Sequence, residues 1–137
     1  MGMAVRPILA ALVALPIAVI VGVVTSSPVK QADAAEPQVS FSDDILPLLK
    51  WRCGSCHQPG GEGFEKSGLD PTSYRGVMKG TKFGPMGIPG DPETSNLMRL
   101  LDWRVPEAVR MPHAQKQLST CDRDAVRTWI RQGAKNN

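Results

Sequence analysis

The chain has 137 residues and a formal net charge of +3, so it is too short for more than one compact domain beside a targeting segment. Leaving out Arg6, Lys30 and Asp33 lowers the charge to about +2, a balance that excludes an electrostatic nucleic-acid binder. Beyond residue 34 the chain is rich in Gly and Pro and poor in large apolar residues, a composition that benefits from a further group to fold around.

From Ile8 to Val24 the sequence is uninterruptedly apolar, with Arg6 as the only charge before it. A cation ahead of such a run keeps the N-terminus in the cytoplasm and sends the rest of the chain across the membrane, which predicts a periplasmic domain. Ala32-Asp33-Ala34 is an A-x-A cleavage site. As a helix the run measures roughly 26 Å, slightly less than a hydrocarbon core of about 30 Å, so retention as an anchor is also open. The expected division is 1–34 as signal peptide or uncleaved membrane anchor, 35–40 as linker and 41–137 as the folded domain.

The first periodic segment is Ser42 to Trp51, with Ile45, Leu48 and Leu49 on one face, Ser40 or Ser42 as cap and Asp43 and Asp44 at the positive end. Pro47 requires a late start or a distorted first turn. Gln58 to Leu69 holds four glycines and no apolar period, which predicts a loop. Asp70-Pro71 and Gly80 bracket a helix containing Tyr74, Val77 and Met78. Asp91-Pro92 opens another, with Leu97, Leu100 and Leu101 on one side. Trp103 to Gln117 has two prolines and no period, so extended chain is expected. Ser119 or Thr120 caps a last helix in which Ala125, Val126, Trp129 and Ile130 share a face, packing against Ile45, Leu48 and Leu49, and Gly133 ends it. About four short helices and no strand pattern make an all-α domain.

Cys53, Cys56 and His57 stand at i, i+3 and i+4, so one helical turn presents all three to the same side. Two thiols at that spacing suit thioether bonds to the two vinyl groups of a haem, with the following imidazole as proximal iron ligand. Two other chemistries use Cys-x-x-Cys: a thioredoxin-like redox pair, and a zinc site that would recruit His113 and Cys121. The His directly after the second Cys, the exported compartment and the missing βαβ pattern favour one covalent haem c. For the second axial position Met78, Met86, Met98, Met111 and His113 are candidates. Met78 and Met98 fall in predicted helices, where Met is usually core filler. Met86 and Met111 lie in loops beside prolines, and spacing does not separate them.

Phe41-Ser-Asp-Asp-Ile-Leu-Pro-Leu-Leu49, Cys53-Gly-Ser-Cys-His57, Gly68-Leu-Asp70 with Tyr74, Pro89-Gly-Asp-Pro-Glu-Thr-Ser-Asn-Leu97, Met111-Pro112, then Leu118 and Trp129-Ile-Arg-Gln-Gly-Ala134 succeed one another along the chain. In that order and spacing the chain resembles the planctomycete-type cytochrome c domain, within the class I cytochromes c. The resemblance implies a class I fold wrapped around one haem, with the first and last helices crossing beside it, and it makes Met111 the distal ligand opposite His57. The family usually has a second Pro after Met-Pro; here His113 stands instead.

The expected function is a periplasmic electron carrier and not an enzyme, meeting redox partner proteins. Three rivals stand beside it: a haem-bearing subunit of a membrane complex held by the N-terminal helix, a haem enzyme or gas sensor with an open sixth position, and the zinc module. Arg104 and Arg110 are candidates to pair with haem propionates, and Lys66, Lys79 and Lys82 to ring an exposed haem edge. Cys121 has no partner in the motif and reads as a free thiol.

Overall fold

The computed structural model describes residues 1–2 and 36–137. The targeting or anchor segment expected over 1–34 lies outside them except for its first two residues, and no described helix is long and apolar enough to cross a membrane. Among the described residues there are five α-helices and no strand: α1 (Leu46–His57), α2 (Glu62–Ser67), α3 (Tyr74–Lys79), α4 (Asn96–Leu101) and α5 (Thr120–Arg131).

Residues Phe41–Ile45 form a π-helical turn that leads into α1. Ser40 Oγ accepts from the Asp43 N–H at 3.2 Å while the Ser40 N–H donates to Asp44 Oδ2 at 2.8 Å, a reciprocal cap. Pro47 is the second residue of α1 and lies just after the π turn, so the distortion that its missing N–H requires falls at that turn. The distorted first turn is the π turn. Phe41, Ile45 and Leu49 are all buried, and Cys53 and His57 continue the same four-residue spacing to the end of α1.

The four-helix expectation missed α2, which lies inside the segment expected to be a loop. Its glycines act as punctuation: Gly61 is the N-cap and Gly68 the left-handed C-cap, at φ 75°. Glu62 and Lys66 are paired at i, i+4 within it. α3 and α4 also begin later than Asp-Pro suggests. Asp70 Oδ1 accepts from the Thr72 N–H, and Asp91 Oδ1 from the Glu93 and Thr94 N–H groups, so each aspartate closes a turn of its own. Ser73 and Ser95 are the N-caps instead, and Ser95 is fully buried, accepting from the Ile88 N–H and donating to the Asp91 carbonyl. The stretch expected to be extended contains a 3-10 turn at Glu107–Val109.

Val126, Trp129 and Ile130 of α5 join Phe41, Ile45 and Leu49 in one buried cluster, with Leu48 packed partly against it. At its centre are three aromatic rings. Phe41 lies 5.2 Å from Tyr74 and 5.3 Å from Trp129 between centroids, so the π turn, α3 and α5 meet at one point. The polar ends are satisfied: Tyr74 Oη donates to the Ala134 carbonyl and Trp129 Nε1 to the Lys135 carbonyl. Asp102, the C-cap of α4, accepts from Arg123 at 3.1 Å and from Arg127 at 2.7 Å, fastening α4 to α5. That hydrogen bond from Arg127 to Asp102 raises the arginine above its ordinary range.

Trp129→Ala should cost about 3–5 kcal/mol, since it opens a cavity at this junction, whereas Trp51→Ala, on an exposed side chain, should cost less than about 1 kcal/mol. Urea unfolding of the two variants checks this. Equal losses would contradict the aromatic junction as the centre of the core.

Candidate functional site

The last turn of α1 opens onto a cleft of about 770 Å³ lined by Cys53, Cys56 and His57. Cavities of this size suit a cofactor. The same cleft is lined by Met86 and by Met111, Pro112 and His113. The sequence motif and both loop methionines are therefore brought to one place.

His57 is buried and reaches the cleft between elements that hold its ring. Ser67 Oγ lies 3.4 Å from Nδ1, and Ser67 is itself fixed by donating to the Gly63 carbonyl at 2.6 Å. Burial lowers the imidazole's pKa, and a hydrogen bond to the Leu69 backbone works in the other direction. A neutral ring keeps a nitrogen lone pair for a metal. On the other nitrogen's side stands Gly63, where a Cβ would come 2.8 Å from Nε2 and 2.9 Å from Cε1. Only glycine leaves the space beside Nε2 clear.

Neither motif thiol is in a disulfide. Burial pushes the Cys53 thiol up to about 11, the reverse of the activated thiol in a thioredoxin-like pair. No βαβ unit exists among the described residues to support such a pair. Cys121 is exposed at the start of α5, away from the cleft lining, and no three His, Cys, Asp or Glu side chains converge as a metal site among the described residues. The Cys3His zinc arrangement is not formed. Two thiols and an imidazole on one turn, beside an apolar cleft with thioether side chains, fit a covalently attached haem.

Met78 and Met98 do not line the cleft; Met98 is fully buried in the core and Met78 packs partly against it. Met86 and Met111 differ in their surroundings. Met86 is 5% exposed and counts among the core residues. Met111 is only half-buried, while its backbone is pinned: its carbonyl accepts from Trp103 Nε1 at 2.9 Å and its N–H donates to Leu100.

The arginines expected to meet a haem's acidic groups are elsewhere engaged. Arg104 pairs with Glu93 and Asp102, and Arg110 stacks over Trp103 at 5.3 Å; neither lines the cleft. Arg52 and Arg99 line it instead. Of the three lysines, Lys66 lines the cleft and is bound to Glu62, while Lys79 and Lys82 do not. α2 contributes Glu62, Gly63, Lys66 and Ser67, four lining residues that a loop assignment conceals. The signal that finds them is the Glu62–Lys66 pair at i, i+4 between Gly61 and Gly68.

Residues 53–114 match the family model described as Planctomycete cytochrome C. The match supports a cytochrome c-like domain of that type over this stretch. The matched span runs from the first motif cysteine to just past Met111-Pro112, leaving Phe41–Ile45 and α5 outside it. No curated protein and no solved structure matches the chain. A cytochrome c domain implies haem c binding, and with it haem-based electron transfer.

Gly63→Ala should therefore displace the His57 ring and lower the yield of haem-loaded protein several-fold, whereas Gly87→Ala, where a Cβ meets nothing within 4 Å, should leave it unchanged. The ratio of haem absorbance to total protein after purification checks this. Unchanged loading in Gly63→Ala would show that the space beside Nε2 is not needed.

Proposed function

We propose that this chain is an exported, periplasmic electron-transfer protein carrying one haem c, covalently held by Cys53 and Cys56 and ligated by His57 and Met111. The observation that carries this is the convergence of Cys53, Cys56, His57 and Met111 on one largely apolar cleft. Bound haem supplies an iron that accepts and returns a single electron. The chain's own residues do the rest.

Cys53 and Cys56, in the last turn of α1, anchor the group from one side. Ser67, which also accepts from the Leu69 N–H, orients the His57 ring, and Gly63 keeps Nε2 accessible. Leu69, Leu97 and Leu101 exclude water from the cleft. The backbones of both methionines are hydrogen-bonded, and Met111 is preferred over Met86 as second ligand because its side chain is not committed to the core. A thioether there stabilises the reduced iron and raises the potential, which suits a carrier. Arg52 and Arg99 supply positive charge to acidic groups of the haem, in place of Arg104 and Arg110. Export is inferred from the apolar run Ile8 to Val24 after Arg6, and retention of that run would make the same domain a membrane-held subunit.

Substitution of the four site residues tests the assignment. Cys53→Ala or Cys56→Ala should leave at most one thioether and poorly matured protein, and His57→Ala should abolish stable haem assembly. Met111→Ala should retain haem but lower the potential by about 100 mV or more, within the roughly 0.8 V range that axial ligation spans. Redox titration reads the last effect. If Met86→Ala produces that fall and Met111→Ala does not, the distal ligand is Met86. Fast cyanide binding by the oxidised wild-type protein would instead indicate an open sixth position.

A further inference from the structure

We infer that Trp103 is a positioning residue that sets the register of the stretch 104–113, so that Met111 and not His113 is the side chain offered to the iron. This role deepens the function proposed above and rests on its assignment of Met111 as second ligand.

Met111 and His113 are two residues apart, and both line the cleft. Thioether and imidazole each serve as axial iron ligands, so residue type does not decide between them. A slip of two residues, about 7 Å of extended chain, exchanges one for the other. The choice therefore depends on what fixes this stretch against the rest of the domain.

The backbone points to Trp103. Its φ of 57° lies in the left-handed region that a bulky side chain rarely occupies, two residues after the end of α4. Glycine adopts that conformation freely, so what the indole contributes here has to outweigh the strain. It makes two contacts, and both are to the residues at the distal position. Nε1 donates to the Met111 carbonyl at 2.9 Å, and the Arg110 guanidinium lies 5.3 Å from the ring centroid. One ring thus holds Met111 by its edge and Arg110 by its face.

Trp103 is itself anchored. Its N–H donates to the Leu100 carbonyl at 3.2 Å, the same carbonyl that accepts from the Met111 N–H. The preceding residue, Asp102, is fastened to α5 by Arg123 and Arg127. Both ends of the stretch therefore meet at the end of α4, where the core fixes them. Ala114, also left-handed at φ 53°, turns the chain directly after His113, and His113 is left exposed.

Trp103→Phe keeps a ring beside Arg110 and deletes the N–H donor. Tyr74→Phe is the matched control: it deletes a hydrogen bond to another backbone carbonyl, that of Ala134, away from the cleft lining. In the oxidised, haem-loaded protein, the weak absorbance band near the red end of the visible reports the bond to Met111, and cyanide is titrated against it. Trp103→Phe should lower the cyanide concentration that halves the band about fivefold, the weight of one hydrogen bond. Its electron paramagnetic resonance spectrum should also gain a bis-histidine component, lost again when His113→Ala is added. Tyr74→Phe should match the wild type in both measurements. An unchanged titration in Trp103→Phe, an equal fall in Tyr74→Phe, or no bis-histidine component that depends on His113 would overturn the role of Trp103, while the wild-type band keeps Met111 as ligand. Wild-type protein with haem but without that band would overturn ligation by Met111, and this role with it.

Discussion

The four-residue spacing of Phe41, Ile45, Leu49, Cys53 and His57 is the constraint on which the structure depends. Its first three members are buried in the core and its last two line the cleft, so one stripe belongs to both. Residues at this spacing lie nearly above one another on a helix, and burying the apolar part fixes where the chemical part points. The aromatic junction of Phe41, Tyr74 and Trp129 therefore acts on the site without touching it: it sets the rotation of the helix that presents the thiols and the imidazole.

The remainder of the cleft comes from segments with little regular structure, and each is held by a few specific hydrogen bonds. Ser67 links α2 to His57, Trp103 fixes the backbone of Met111, and Arg52 reaches the Lys116 carbonyl. These bonds replace the secondary structure that the Gly- and Pro-rich sequence does not form. A haem in the cleft would supply the apolar mass that the domain otherwise lacks, which ties its stability to its cofactor.

Much of this was legible in the residues. Periodicity and caps identify α1 and α5 because both are long enough to show a buried face, and the Cys53-Cys56-His57 spacing places its side chains together whatever the rest of the fold does. The short helices were harder to place. In α2, glycine marks both ends, and a glycine-rich segment without apolar period looks like loop although Glu62 and Lys66 hold a turn and a half of helix. At α3 and α4 the Asp-Pro pairs resemble caps, yet the aspartates close turns and the helices start at the serines three and four residues on, of which Ser73 caps through its side chain while Ser95 bonds back to Ile88 and Asp91. Charge partners were not legible at all. Arg104 and Arg110 are no different in sequence from Arg52 and Arg99; only the fold turns the first two toward Asp102 and Trp103 and the others toward the cleft.

The central claim is that one haem is covalently bound through the cysteines of α1. Mass spectrometry of the purified protein under denaturing conditions tests it most directly, because thioether bonds survive unfolding and coordination does not. The account predicts the polypeptide mass increased by one haem, with the addition recovered on the peptide containing Cys53 and Cys56. A polypeptide of unmodified mass, or a haem released when the chain unfolds, would contradict it.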